Sequence, residues 1–145
     1  MNQSTPTQTP LDGKRLMQSL LQAAHALEER VEEALSGVGL SSPKLSVLTR
    51  LVDAGDPTSL SELAARQCCV RSNMTQLIDR LESDGLVRRV PDPSDRRAVR
   101  AELTDEGRAR QAQGAELVRE VETDLLGRFS AGERALLAEL LEGLH

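Results

Sequence analysis

The sequence predicts a mainly α-helical chain with one small β-hairpin in its second half. Three observations carry that expectation. Apolar residues recur at spacings of three and four through most of the chain. The period changes to two only between Leu86 and Leu103. Phe129 is the sole aromatic, so the core must come from Leu, Val, Ile and Ala, a set led by good helix formers. A chain of 145 residues fits one domain, or one domain with a dimerising extension.

The elements follow in order. Residues 1–10, rich in Ser, Thr, Gln and Pro, read as a disordered tail without a basic-then-apolar leader. Leu11 to Ser36 reads as a long helix, with Leu16, Leu20, Ala24, Leu27, Val31 and Leu35 on one stripe and Gly37 and Gly39 ending it. Ser42 before Pro43 is a start signal, a side-chain cap followed by proline at the first helical position. That helix runs to about Ala54, with Leu45, Leu48 and Val52 inward and Gly55 as the stop. Ser59 and Glu62 form a capping box that opens a short helix to about Arg66. A turn around Gln67 to Val70 leads into a helix from Arg71 to Ser83, which buries Met74, Ile78 and Leu81, with Leu77 adjoining. Gly85 closes it. Leu86 to Val90 and Val99 to Leu103 alternate as two strands around the charged, proline-bearing loop 91–97. Thr104 caps a helix to about Arg128, with Asp105 and Glu106 at its positive end. Ser130 and Glu133 form a second capping box, opening a last helix with Leu136, Leu137, Leu140, Leu141 and Leu144.

Helix, turn, helix, hairpin is the order of a winged helix-turn-helix, here spanning 40–103. In that arrangement the second helix crosses the first and can enter the DNA major groove, whose width accepts one helix. The hairpin beside it can reach the neighbouring backbone or minor groove. The outward face of the second helix carries Arg71, Ser72, Asn73, Thr75, Gln76 and Arg80. Asn and Gln can pair two-pronged with adenine and Arg with guanine. The backbone N–H groups at the helix start can take a phosphate.

The net charge of −5 hides an uneven distribution. Residues 66–100 hold 8 arginines against 5 acids, a balance of +3, and the remainder of the chain carries −8. A basic middle in an acidic protein is what one phosphate-facing surface requires. The sequence has no nucleophile–base pair, paired catalytic carboxylates, Gly-rich phosphate loop, CxxC or HExxH, so neither an enzyme, a metal site nor a cofactor is expected. No apolar run reaches the ~20 residues of a membrane span. Cys68 and Cys69 are adjacent, which suits a reduced, cytoplasmic compartment and not a disulfide. They read as small packing residues, with a thiol sensor as the alternative.

The run from Leu77 to Arg89, then Asp92-Pro93-Ser94-Asp95-Arg96-Arg97-Ala98-Val99 and Leu103-Thr104-Asp105-Glu106-Gly107, resembles the signature of the MarR family of transcriptional regulators. The resemblance implies a DNA-binding regulator, most often a repressor. It implies that Arg96 or Arg97 enters the minor groove and that Asp95 braces an arginine at the wing base. It also implies an intertwined homodimer built from 11–36 and 104–145. The leucine stripes at the two chain ends agree with this, because neither has an evident partner in so small a winged domain. Two recognition helices one DNA turn apart would then read a palindrome. Family members often respond to small aromatic anions, but this chain lacks stacking partners. His25 and Arg15, with Lys44 or Arg50, are the candidates to meet an anionic effector. A winged module that binds only protein is the competing reading.

Overall fold

The computed structural model describes residues 12–66 and 71–144. The expected tail, and the Gln67–Val70 turn with Cys68 and Cys69, lie outside the described residues.

Among the described residues, six helices and a three-stranded sheet follow in chain order: α1 Gly13–Ser36, α2 Ser42–Ala54, β1 Thr58–Ser59, α3 Leu60–Arg66, α4 Arg71–Ser83, β2 Val87–Pro91, β3 Val99–Leu103, α5 Asp105–Leu126 and α6 Ala131–Glu142. The core is aliphatic. Leu35, Val47, Leu48, Leu63, Met74, Ile78, Leu81, Leu86, Val87 and Ala101 are all shut off from solvent. Burial of such side chains is worth roughly 1.5–3 kcal/mol each. The inward face expected for α4 is therefore the observed one.

α2 departs from expectation in two respects. Its cap is Ser41, one residue earlier, whose hydroxyl accepts the Lys44 N–H at 3.4 Å. Ser42 instead donates its own N–H to the Glu32 carboxylate at 2.7 Å. The buried residues are Val47, Leu48 and Leu51, while Leu45 and Val52 are half-buried. α2 packs against α1, α4, α5 and β3 at once, so it has no single inward stripe for a periodicity argument to find. Its stop is as expected: Gly55 takes φ +71° and donates to Leu51 O at 3.2 Å.

The sheet has a strand beyond the expected hairpin. β1 pairs antiparallel with β3, Thr58 opposite Ala101 and Ser59 opposite Arg100, giving the order β1-β3-β2. Two residues are too few to show an alternating pattern. Ser59 also caps α3, accepting the Glu62 N–H at 3.2 Å. β2 pairs with β3 from Val87↔Leu103 to Pro91↔Val99. It starts one residue later than expected because Leu86 still belongs to the end of α4. There Gly85 (φ +75°) donates to Glu82 O and Leu86 to Leu81 O, both at 2.9 Å. That pair of bonds is a Schellman ending, with buried Leu81 and Leu86 as its hydrophobic contact.

This ending is locked to the start of α5. Thr104 donates its N–H to Leu86 O at 3.1 Å and its hydroxyl to Gly85 O at 2.7 Å, while that hydroxyl accepts the Gly107 N–H at 3.0 Å. The approach is so close that a Cβ on Gly107 would sit 1.9 Å from Leu86 O. α5 in turn packs along the C-terminal half of α1, where Arg30 and Asp124 pair. The α1 stripe thus splits. Val31 and Leu35 meet the core, whereas Leu16, Met17, Leu20 and Leu21 stay exposed. α6 buries none of its residues, and Leu136, Leu140, Leu141 and Leu144 are 41–66% exposed.

Candidate nucleic-acid interface

α4 packs against β2 of the hairpin, and both elements carry exposed polar side chains. On α4, packing of Met74, Ile78 and Leu81 turns Asn73, Thr75, Gln76, Asp79 and Arg80 to solvent. Arg71 and Ser72 occupy the first turn of α4, and their side chains lie outside the described residues.

The hairpin loop is a structured turn. The Asp92 carboxylate accepts the Ser94 hydroxyl at 2.7 Å, the Ser94 N–H at 2.8 Å and Arg100 Nε at 2.6 Å. Backbone bonds Asp92 N to Ala98 O (3.1 Å) and Ala98 N to Asp95 O (3.0 Å) close the loop. The Ser94 bonds and the Arg100 charge hold the Asp92 carboxyl far below the usual carboxylate range. Arg100 also donates to Pro57 O at 3.4 Å, tying the wing to the segment before β1. The acid that braces an arginine at the wing base is therefore Asp92. The Asp95 carboxylate expected in that role instead accepts the Arg97 backbone N–H at 2.9 Å. The reason is register: Asp92 lies beside Pro91↔Val99, the last pair of the ladder, while Asp95 sits at the turn.

Structure sorts the arginines that sequence could only count. Arg66 pairs with Glu62 and Arg88 with Glu102. Arg89 bridges Asp79 and Glu82. Its own N–H and guanidinium lower the Glu82 carboxyl below its ordinary value. Partial burial opposes the Arg89 charge, but its two carboxylate partners outweigh that and raise its pKa. The guanidinium groups of Arg80, Arg96 and Arg97 have no partner among the described residues. Arg80 lies exposed on α4 with Asn73 and Gln76, and Arg96 and Arg97 lie exposed at the wing tip. Asp79, Glu82 and Arg89 were not among the residues sequence reasoning selected. The signal available was an acid pair three apart on α4, on the face that the strand after Gly85 returns to.

The expected anion-binding group does not assemble. His25 pairs with Glu29 on its own helix, and Lys44 is tied to Asp84 at 2.7 Å. Arg50 borders a space of about 470 Å³ between α1, α2 and α5 lined also by Val31, Leu45, Thr49, Asp53 and Val118. Arg50 donates to Arg66 O at 2.7 Å, while its Nε is buried without a hydrogen-bond partner.

The MarR family model matches residues 40–99. The HTH-type transcriptional regulator PecS of Dickeya dadantii is 33% identical over 117 residues, covering 79% of this chain and 70% of PecS. The chain belongs to the MarR family. The HTH-type transcriptional repressor YetL of Bacillus subtilis is 37% identical over 99 residues, covering 68% of this chain. The chain spans about three-fifths of that relative's length, 59%. Among solved MarR-family folds, a mutant MarR from E. coli complexed with operator DNA aligns with 94% of this chain and 98% of its own, at TM-score 0.76 and 25% identity. The matched residues run from just before α2 to the first residue of β3, and α1, α5 and α6 lie outside them. No described helix is long and apolar enough to cross a membrane.

Proposed function

We propose that this MarR-family chain is a sequence-specific DNA-binding transcriptional regulator, a repressor, that binds a palindromic duplex as a homodimer in the cytoplasm. One observation carries the reading: Asn73, Gln76 and Arg80 are exposed on α4, Arg96 and Arg97 are exposed at the tip of the hairpin whose β2 packs on α4, and these three guanidinium groups have no partner among the described residues, while the other described arginines of that stretch are bonded within the protein. A helix in the major groove would use Asn73, Thr75, Gln76 and Arg80 on base edges and phosphates, with Arg71 and Ser72 at its phosphate-facing start. Arg96 and Arg97 would follow the adjacent minor groove or backbone, and Asp95 would serve by shaping the turn that presents them.

The exposed leucines of α1 and α6 support the homodimer, because apolar surface at both chain ends can be covered across a two-fold axis. The dimerisation region is then 11–36 with 104–145. The cavity at Arg50 supports a small anionic effector, because a guanidinium lines it among mainly apolar neighbours. α2, which lines that cavity, also packs on α4, so filling the cavity bears on how the reading helix is held.

The test is selection from a randomised duplex library, followed by anisotropy titrations across salt concentrations. Enrichment of a palindrome is expected, with affinity falling steeply as salt rises because arginines displace condensed counterions. No enriched sequence and no salt dependence would leave the protein-interaction module as the reading.

A further inference from the structure

We propose that Arg89 supports the DNA-reading surface without touching DNA: it joins the wing to α4 and offsets most of the charge of Asp79, an acid on the reading face itself. The inference rests on the regulator reading above.

Counting ~100° per residue around α4, Gln76 lies near the centre of the face opposite Met74, Ile78 and Leu81, and Arg80 and Asp79 flank it at similar offsets. Asp79 is therefore as much a part of that face as Arg80, and its side chain is 58% exposed. A bare carboxylate there would stand among phosphates of its own sign, within the ~8–10 Å over which charges act at physiological salt. The structure does not leave it bare. Arg89, on β2 and only 27% exposed, donates one guanidinium nitrogen to Asp79 and another to Glu82, one turn further along α4. Its backbone N–H adds a third tie, to Glu82 Oε1 at 3.1 Å. Opposite Arg89 in the ladder is Ala101, which is fully buried, so the strand beneath this arginine is anchored in the core. One planar cation thus spans helix and hairpin with both terminal nitrogens engaged, a geometry lysine does not reproduce. Two consequences follow. The terminal nitrogens of Arg89 are committed to carboxylates, and Asp79 repels the backbone less than a bare carboxylate would.

The experiment uses the duplex enriched by the wild-type chain and measures affinity by anisotropy, with the melting temperature of each variant as a check on folding. Arg89→Met is expected to weaken binding at least tenfold, by exposing uncompensated carboxylates. Adding Asp79→Asn to Arg89→Met is expected to restore affinity to within about threefold of wild type, a coupling that direct contact does not produce. Asp79→Asn alone is expected to raise affinity by no more than about threefold, since most of the charge it removes is already offset by Arg89. That single variant tests the idea even where Arg89→Met does not fold. A tenfold gain from Asp79→Asn alone, or no rescue in the double variant, overturns the proposal. A wild-type chain that enriches no duplex overturns the regulator reading and this inference together. Enrichment without rescue overturns only the inference.

Discussion

Replacing Gly107 by alanine tests whether the junction of α4, β2 and α5 is as tight as its geometry requires. Helix propensity alone favours alanine by about 1 kcal/mol. The structure predicts the opposite sign. The new methyl would lie 1.9 Å from Leu86 O and 2.9 Å from Leu103 Cδ1. Leu103 can rotate away, but the carbonyl cannot. Leu86 is fully buried, its oxygen accepts the Thr104 N–H, and its own N–H closes the end of α4. The helix and that carbonyl must part by roughly 1 Å before the contact becomes tolerable. Losing the Thr104 bond costs about 1 kcal/mol, and forcing atoms into a packed junction costs about 1–3. After the propensity gain, a net loss of about 2 kcal/mol remains. The assay is urea unfolding followed by helical circular dichroism, at matched protein concentration because a dimer's stability depends on it. With a slope of ~1–3 kcal/mol/M, the midpoint falls by about 1 M. An unchanged or higher midpoint would refute the steric argument. Gly132→Ala is the control: nothing lies within 4 Å of the added carbon, so a helical position in α6 gains stability by about 0.5–1 kcal/mol.

Three other outcomes are expected. Leu140, 62% exposed on α6, becomes buried if α6 joins a second copy, so Leu140→Glu converts the chain to monomer in sedimentation velocity; a variant that stays dimeric removes this part of α6 from the interface. Arg97→Ala weakens binding to every duplex and lowers the salt slope by about two, one contact per protomer, whereas Gln76→Ala relaxes preference at one base position of each half-site by about 1–3 kcal/mol; uniform losses for both would reverse the assignment of contact and reader. Asp92 has its folded pKa lowered by the Ser94 bonds and Arg100, so its contribution to stability is complete above the ordinary carboxylate range and is lost as pH falls below it. Asp92→Asn should therefore flatten the acid limb of a pH–stability curve below about pH 4 and leave the region near neutrality with a constant offset; an unchanged acid limb would show that the wing brace is not linked to folding.

How much was legible in the sequence depended on whether a residue answers to one neighbour or to several. α4 meets the core on a single face, so its period gave Met74, Ile78 and Leu81 directly. The Ser130–Glu133 box is local in sequence and formed as read. α2 is packed on several sides and its period misled, and β1 is two residues long and recruited by a partner over forty positions away. The outward face of α4 was legible because burial of the other face dictates it. The division of labour among the charges was not, since an ion pair such as Arg100–Asp92 or Arg89–Asp79 depends on loop and hairpin geometry. The wing illustrates this: two aspartates three apart are equivalent in composition, and only the ladder register places Asp92, not Asp95, against Arg100.

Charge counting and charge availability are accordingly different quantities. The +3 of residues 66–100 suggested a phosphate-facing surface by summation. In the fold, Arg66, Arg88, Arg89 and Arg100 are spoken for, and the exposed cations of the stretch without a partner among the described residues are Arg80, Arg96 and Arg97. The bonded arginines matter in another way, because these four offset most of the charge of five acids, Glu62, Glu102, Asp79, Glu82 and Asp92. A chain with net charge −5 can therefore expose a group of free cations without a large excess of basic residues. The turn at Asp95 leaves two of these arginines exposed at the wing tip. The salt dependence of binding should then track these unpaired cations and be smaller than the eight arginines of the stretch would suggest.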